Sequence, residues 1–238
     1  MLTKSNAIVS VARCAEIFMT DPKQFDLLVF DWDGTLVDSA GHIAASIQAA
    51  CADLGLAVPS NEDARHVIGL GMHDALTYLV PQLDKERYRE LADRYRYHFL
   101  AGDDAVEIFP MVEEGMARLD AMGYMLAVAT GKSRVGLDRA LGKVAFGTRF
   151  TTTRCGDEGF PKPHPDMLNH IMEVTGASAS RTLMIGDTSH DLQLAANAGA
   201  HALAVSYGAH PPETLDEHQS LGSMGSFSEV LEWLEENG

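Results

Sequence analysis

Apolar and polar positions follow two alternating patterns along the chain. Short apolar runs with turn residues at their ends predict buried strands at 27–30, 124–129, 150–153, 182–185 and 202–205. Segments with apolar residues at helical spacing separate most of these runs, and Ser226 with Glu229 forms a capping box before a C-terminal helix. Strands that alternate with helices require a parallel sheet with right-handed crossovers. The pattern therefore predicts an α/β fold with a doubly wound, Rossmann-like parallel sheet.

One long block departs from this alternation. Residues 40–105 show helical periodicity around 43–54, 61–65 and 88–99 but no strand signal, although strands lie on both sides. We therefore predict an all-helical insertion at 40–105 in an α/β core made of 25–39 and 106–238. Residues 1–24 are only mildly apolar and are expected to form an N-terminal extension. Natural translation from Met19 is an alternative.

Composition and charge restrict the partners. The chain has 238 residues, 46% of them hydrophobic and 22% charged, with a formal net charge of −16. This charge argues against nucleic acid or an anionic membrane surface as a partner, and a site for an anionic substrate must be locally positive. No apolar run approaches the ~20 residues needed to span a bilayer. Three distant cysteines, Cys14, Cys51 and Cys155, fit a reducing, cytoplasmic location better than a disulfide framework or a zinc site.

Two carboxylates follow the first predicted strand. Asp31 and Asp33 stand directly after the apolar run and precede Gly34. In an open α/β sheet, ligands bind beyond the carboxyl ends of the strands. Two acids this close repel each other unless one is protonated or a cation lies between them. Taken alone, Asp33 and Gly34 would be explained by an ordinary Asp-Gly turn, but matching segments downstream favour a functional site.

Four segments in order resemble the motifs of haloacid dehalogenase-like (HAD) phosphatases, in a branch similar to phosphoglycolate phosphatases. They are Asp31-Trp-Asp33-Gly-Thr35, Thr130-Gly131, Lys162-Pro163 and Gly186-Asp187-Thr-Ser-His-Asp191. The resemblance extends from about residue 25 to the C-terminus. It implies that the helical insertion is the cap of this family, located between its first two motifs.

The resemblance implies a role for each catalytic residue. Asp31 would attack phosphorus to form an aspartyl-phosphate, and Asp33 would serve as general acid and then general base. Thr130 and Gly131 would hold the phosphate, although a plain helix cap also explains them. Lys162 would supply fixed positive charge, although a lysine before a proline is commonly a loop residue. Relatives with dehalogenase or phosphonatase activity lack an acid at the position of Asp33, so the resemblance favours a phosphatase or phosphomutase.

The acidic residues also suggest a metal site. Four converging carboxylates require a cation, and oxygen ligands with a phosphate substrate point to Mg²⁺. The resemblance assigns it to Asp31, Asp187 and the backbone carbonyl of Asp33, with Asp191 further out. An alternative for Asp191 is a first-turn acid at a helix N-terminus.

The family resemblance assigns substrate selection to the cap. The loop 68–72 is expected to reach the active site, where Gly69 and Gly71 permit close backbone approach. Arg65 is a candidate for binding a substrate carboxylate, and pairing with Glu62 on an exposed helix is an equal alternative. Lys132 is expected to point to solvent. Relatives carry Pro-Gly where this chain has Pro110-Met111, which questions the backbone geometry there.

The favoured function is a Mg²⁺-dependent phosphatase that hydrolyses a small-molecule phosphate monoester similar to phosphoglycolate. A phosphosugar mutase on the same scaffold is the first alternative, and free phosphate release distinguishes the two. A non-catalytic binding protein is the second, and the intact catalytic set argues against it. The sequence predicts no oligomeric state.

Overall fold

The computed structural model describes residues 23–238. The predicted N-terminal extension lies outside the described residues except for its last two positions, and so does the alternative start at Met19.

A six-stranded parallel sheet forms the centre of the molecule. The strands are β1 (Leu27–Phe30), β2 (Val37–Asp38), β3 (Glu107–Ile108), β4 (Met125–Thr130), β5 (Thr152–Cys155), β6 (Thr182–Gly186), β7 (His201–Val205) and β8 (Ser223–Met224). The central sheet has the order β5-β4-β1-β6-β7-β8, and all its pairs are parallel. The predicted doubly wound α/β fold is confirmed. The prediction placed β5 two residues too early and did not include the short edge strand β8.

Helices cover both faces of this sheet. They are α1 (Ala40–Asp53), α2 (Asn61–His66), α3 (Met72–Leu79), α4 (Tyr88–Gly102), α5 (Val112–Ala121), α6 (Arg134–Leu141), α7 (Asp166–Thr175), α8 (Ser189–Ala198), α9 (Pro212–Leu215) and α10 (Phe227–Asn237). Among the described residues, none of these helices is both long and apolar enough to cross a membrane.

The alternating side-chain directions along β1 explain why the core has two layers. Leu28 and Phe30 are buried in one apolar cluster with residues of α5 and α10, whereas Leu27 and Val29 are buried in another with residues of α7 and α8. Successive side chains of a strand point to opposite faces, so a continuous apolar run is buried on both sides. The sheet is thus held between helix layers, and its carboxyl edge stays free for polar residues.

Helices α1–α4 lie between two short strands outside the central sheet. Strand β2 pairs antiparallel with β3, with Val37 opposite Ile108, so the chain leaves and re-enters the core at neighbouring positions. Helix α3 was not predicted, because Gly69 and Gly71 made this region look like a break in the helix pattern. Gly71 is in fact the N-cap of α3.

Met111 has a backbone conformation that non-glycine residues rarely adopt. Its φ is +67°, in the left-handed region, and it precedes the first residue of α5. Its side chain is 41% exposed, so packing gives it little compensation. The left-handed conformation costs a non-glycine residue roughly 1–2 kcal/mol.

Candidate active site

The sheet register brings the acidic residues of two motifs to one edge. Strands β1 and β6 are neighbours, with Phe30 opposite Ile185, so Asp31 and Asp187 both follow adjacent strand ends. The Asp31 amide donates a hydrogen bond to the Ile185 carbonyl at 2.9 Å. Gly34 makes the turn after Asp33 with φ +79°, and a Cβ atom there would collide with the Asp187 carboxylate. Only glycine therefore permits this close approach.

Lys162 joins the acidic residues from the opposite side. Its fully buried Nζ lies 2.9 Å from Asp31 Oδ1 and 2.6 Å from Asp191 Oδ1. Burial alone lowers the pKa of Lys162, but the carboxylates of Asp191 and Asp31 outweigh it and hold the pKa above its usual value. Lys162 is therefore a fixed positive charge inside the site and not the alternative, a solvated loop residue.

Asp191 contacts both the start of α8 and Lys162. Its Oδ2 accepts hydrogen bonds from the Thr188 amide at 3.0 Å and the Thr188 hydroxyl at 2.8 Å, which completes a capping box at the start of α8. Its Oδ1 accepts from Lys162. Asp191 is thus a first-turn acid that also holds the ammonium group of Lys162 in place.

Asp31, Asp187 and Asp191 form a buried carboxylate cluster. Each offers an oxygen atom, and these atoms lie within 4.8 Å of one another. Burial, reinforced by Asp191 and Asp33 against the opposing effect of Lys162, raises the pKa of Asp31 to about 7. Burial also raises the pKa of Asp187 well above its usual value, and the Asp31 and Asp191 charges add to the shift. Negative charge in this cluster is therefore under-compensated by the protein's own groups.

One carboxylate oxygen of the cluster lacks a partner. Asp31 Oδ1 accepts from the Trp32 amide at 2.6 Å, whereas Asp31 Oδ2 is buried without any hydrogen bond. Both oxygens of Asp187 are bonded, to the Thr35 hydroxyl at 2.7 Å and the Ala209 amide at 2.7 Å. A buried, unpaired carboxylate oxygen among other carboxylates fits a hard divalent cation such as Mg²⁺, which prefers oxygen ligands.

Asp33 faces away from this cluster toward the cap. Its Oδ1 accepts from the Ser39 hydroxyl at 2.6 Å and lies 2.9 Å from Lys132 Nζ. The lysine side chain is only 13% exposed, and its ammonium group lies 4.8 Å from the centre of the Phe99 ring of α4. The prediction that Lys132 points to solvent is wrong, because a buried carboxylate and an aromatic face attract the cation inward. The Asp33 carboxylate is therefore not part of the buried carboxylate cluster that could hold a metal ion.

Thr130 ends β4, the other neighbour of β1, and Gly131 directly follows it. Thr130 is buried, and its hydroxyl accepts a hydrogen bond from the Lys132 amide at 3.3 Å. A Cβ atom on Gly131 would lie 2.7 Å from the Gly69 carbonyl oxygen, which shows how tightly the cap loop packs here. The residue pair thus lies between the carboxyl edge of the sheet and the cap.

The glycine loop of the cap reaches the acidic cluster. Gly69 has φ +91°, and a Cβ atom there would lie 3.8 Å from Asp31 Oδ2 and 3.2 Å from the Thr188 hydroxyl. A Cβ atom on Gly71 would lie 2.9 Å from Pro161, next to the lysine motif. The backbone of 69–71 therefore packs closely against the site, where a side chain at Gly69 or Gly71 would have little space.

Arg65 does not lie in this site. Its Nη1 donates to the Gly208 carbonyl at 3.3 Å, and it lines a separate depression together with Glu62 and His66. The cavity at the carboxyl edge is lined by Asp33 and Gly131 but not by Arg65. The prediction that Arg65 binds a substrate carboxylate is therefore corrected: α2 directs this side chain toward the loop after β7.

Three residues of the site were not recognised in the sequence. Ser39 and Lys132 both contact Asp33, and Thr188 holds Asp191. Ser39 stands directly before α1 and Thr188 directly before α8, where hydroxyl residues are expected as helix caps. For these two hydroxyl residues the signal was present, but a cap and a site residue look the same in a sequence.

Comparison with known proteins identifies the family. The sequence model for haloacid dehalogenase-like hydrolases matches residues 28–205. The chain belongs to this hydrolase family. Among relatives of this HAD-like hydrolase, the probable phosphatase IndB of Dickeya dadantii is 34% identical over 86% of this chain and 91% of that protein. The phosphoglycolate phosphatase of Aliivibrio fischeri is 31% identical over 81% of this chain and 89% of that protein.

Solved structures agree with this assignment. The crystal structure of a predicted phosphoglycolate phosphatase from Haemophilus somnus has a TM-score of 0.76 and 25% identity, covering 88% of this chain and 98% of that one. The sequence-based assignment to HAD-like phosphatases of the phosphoglycolate phosphatase-like branch is confirmed.

Proposed function

We propose that this HAD-like phosphatase hydrolyses small-molecule phosphate monoesters through an aspartyl-phosphate on Asp31, with Mg²⁺ as its cofactor. The unpartnered Asp31 Oδ2 carries the proposal, since it is a buried nucleophile candidate without a hydrogen bond. Lys162, 2.9 Å from the other oxygen, orients this carboxylate. Such positioning supplies much of the rate enhancement in phosphoryl transfer.

The first step transfers the phosphoryl group to the enzyme. An Asp31 oxygen attacks phosphorus, the bond from phosphorus to the ester oxygen breaks, and Asp33 donates a proton to the departing alcohol. Lys162 and the backbone amides after Thr130 stabilise the charge on the phosphoryl oxygens. Lys132 and Ser39 hold the Asp33 carboxyl group toward the cavity, where the alcohol leaves.

The second step regenerates the enzyme. Asp33 accepts a proton from water, the water oxygen attacks phosphorus, and the bond between phosphorus and Asp31 breaks to release inorganic phosphate. The Gly69–Gly71 backbone packs over the cluster and limits the access of other water molecules.

The metal assignment rests on the buried carboxylate cluster. Asp31 and Asp187 would hold Mg²⁺, with Asp191 near it and the backbone carbonyl of Asp33 as the further ligand proposed from the resemblance. When bound, the ion neutralises phosphate charge and keeps Asp31 ionised, because a neighbouring cation lowers a carboxyl pKa that burial otherwise raises to about 7.

The experiment measures phosphate release from a panel of phosphate monoesters that includes phosphoglycolate, since relatives carry that name. We expect release that is lost in excess chelator and restored by Mg²⁺, and that is absent in Asp31→Asn. Full activity in chelator would contradict the metal assignment. Isomerised sugar phosphate without net phosphate release would instead support a phosphosugar mutase.

We also propose a cytoplasmic location. Within the described part of the chain, Cys51 and Cys155 are free and buried, which fits a reducing compartment. Cys14 lies outside the described residues.

A further inference from the structure

A large cavity extends from the catalytic edge into the cap. It has a volume of about 820 Å³ and begins beside Asp33, Gly131 and Lys132. Pockets for small-molecule ligands usually measure about 300–1,000 Å³. A phosphoryl group with a two-carbon acid would occupy only the catalytic end of such a space. Most of the cavity therefore lies where the leaving alcohol of a larger substrate would project.

The cap helices line the cavity with apolar side chains. Ile43 and Ile47 come from α1, Leu76 and Leu79 from α3, and Leu91 from α4. Burying apolar substrate surface against such walls is favourable, whereas burying an unpaired polar group there is costly. The walls thus favour an alcohol with an extended apolar group.

Aromatic and apolar residues continue this surface toward solvent. Tyr95 and Phe99 of α4 line the cavity close to Lys132, whose ammonium group lies over the Phe99 ring. Leu100 and Val135 also line it, although they are 49% and 75% exposed. Contiguous exposed apolar surface often marks a ligand-binding groove. Apolar residues therefore line both the enclosed part of the cavity and its exposed rim.

The basic side chains of the lining are already paired with acids. Lys132 is bound to the general acid, Arg96 Nη1 lies 2.6 Å from Asp93, and Arg139 Nε lies 3.2 Å from Asp103. A substrate carboxylate would therefore have to share its cation with a protein carboxylate. It would also approach the acidic side chains that line the same cavity.

Those acids are Asp33, Asp74 and Asp157. His73 is the other basic group of the lining, and its ring packs 5.6 Å from that of Tyr88. Negative charge in the lining disfavours a second anionic group on the substrate. We propose that the enzyme acts on phosphate monoesters whose alcohol carries an apolar chain or ring, in preference to phosphorylated small acids. This inference rests on the proposed phosphatase function.

Straight-chain alkyl phosphates test the inference, because their leaving alcohols differ little in chemistry while their apolar length increases. Phosphate release is measured for ethyl, butyl, hexyl and octyl phosphate and for phosphoglycolate. We expect kcat/KM to rise roughly threefold for each added methylene until the cavity is filled. Hexyl phosphate should exceed phosphoglycolate. A flat or falling series, or phosphoglycolate as the best substrate, overturns the inference.

Variants that narrow the cavity test whether the preference for longer alkyl chains arises there. Ile47→Trp and Leu79→Trp fill it from α1 and from α3, and either should lower the ratio of kcat/KM for hexyl over ethyl phosphate about tenfold. Val58→Trp is the matched control, because Val58 is an exposed cap residue outside the lining and should leave this ratio unchanged. An unchanged ratio in both cavity variants overturns the inference.

A binding measurement separates this inference from the function on which it rests. Affinities of the wild-type protein for ethyl-, butyl- and hexylphosphonate are measured by calorimetry in the presence of Mg²⁺. If no ester is hydrolysed, the proposed function fails, and the phosphonate series still decides the inference. Affinity that rises about threefold per methylene supports it, and affinity independent of chain length overturns it.

Discussion

Replacement of Lys162 by Met removes the only positively charged side chain that, among the described residues, contacts both Asp31 and Asp191. The ammonium group lies 2.9 Å from one carboxylate and 2.6 Å from the other, and all three side chains are at most 1% exposed. Methionine keeps most of the apolar stem and leaves two buried carboxylates without their cation. Lys162→Met therefore tests how strongly burial amplifies these ion pairs.

The expected loss of stability follows from this burial. Removing one partner of a buried ion pair typically costs about 3–5 kcal/mol, since the remaining charge stays desolvated. Protonating a carboxyl with an ordinary pKa near 3.9 relieves that charge and costs about 4 kcal/mol at about pH 7, which limits the loss. For a protein of this size, roughly 2–4 °C per kcal/mol corresponds to a fall of about 6–20 °C in Tm.

The assay compares thermal unfolding of the wild type, Lys162→Met and Lys143→Met in chelator. Lys143 is a matched control, because its Nζ lies 2.8 Å from Asp103 and 2.7 Å from Asp104, but its side chain is 41% exposed. Water and salt screen exposed pairs, so Lys143→Met should lower Tm only slightly. Equal, small shifts in both variants would refute the argument that burial decides the strength of these pairs.

Three further predictions concern single side chains. Lys132→Met should lower kcat about ten- to a hundredfold, because Asp33 loses a charge-assisted contact of about 1.5–3 kcal/mol; an unchanged kcat would contradict its positioning role. Met111→Gly should raise the free energy of unfolding by about 0.5–1 kcal/mol, because relief of the left-handed strain exceeds the entropic cost of glycine; denaturant titration showing a loss would exclude strain at φ +67°. The side-chain hydrogen bond from Arg134 lowers the pKa of Glu158 below its ordinary value of 4.5. This contact therefore stabilises the fold fully at pH values above the ordinary pKa, and its contribution disappears as the pH falls through the lowered pKa. Glu158→Gln should therefore be less stable than the wild type near neutral pH and equally stable in strong acid, and a difference that persists in acid would contradict this.

Much of the core could be predicted because β1, β4, β6 and β7 are short, largely apolar runs that are almost fully buried. The runs that became β1 and β6 end directly before Asp31 and Asp187, so strand order alone brings these acids to one edge. Family motifs then assigned roles to Thr130 and Lys162. The central strands and the acidic cluster were accessible for this reason, whereas β2, β3 and β8 have two residues each and leave no periodic signal.

Side-chain direction where the cap meets the core could not be predicted in the same way. Arg65 precedes the cap loop and Lys132 follows the Thr130-Gly131 motif, yet Arg65 turns toward Gly208 and Lys132 toward Asp33. Their directions depend on the packing of the cap against the core, which involves residues far apart in the sequence. The cavity has the same origin, since Ile47 and Leu79 meet only after the cap helices assemble.

The most direct test of the proposed mechanism is identification of the phosphorylated residue. Asp33→Asn should still accept the phosphoryl group from an activated ester but lose the base for hydrolysis, so the covalent intermediate should accumulate. Peptide mass spectrometry after rapid acid quenching should then find the phosphoryl group on Asp31, and the adduct should be absent in Asp31→Asn. Phosphorylation of another residue, or an adduct that persists in Asp31→Asn, would contradict the assignment of Asp31 as the nucleophile.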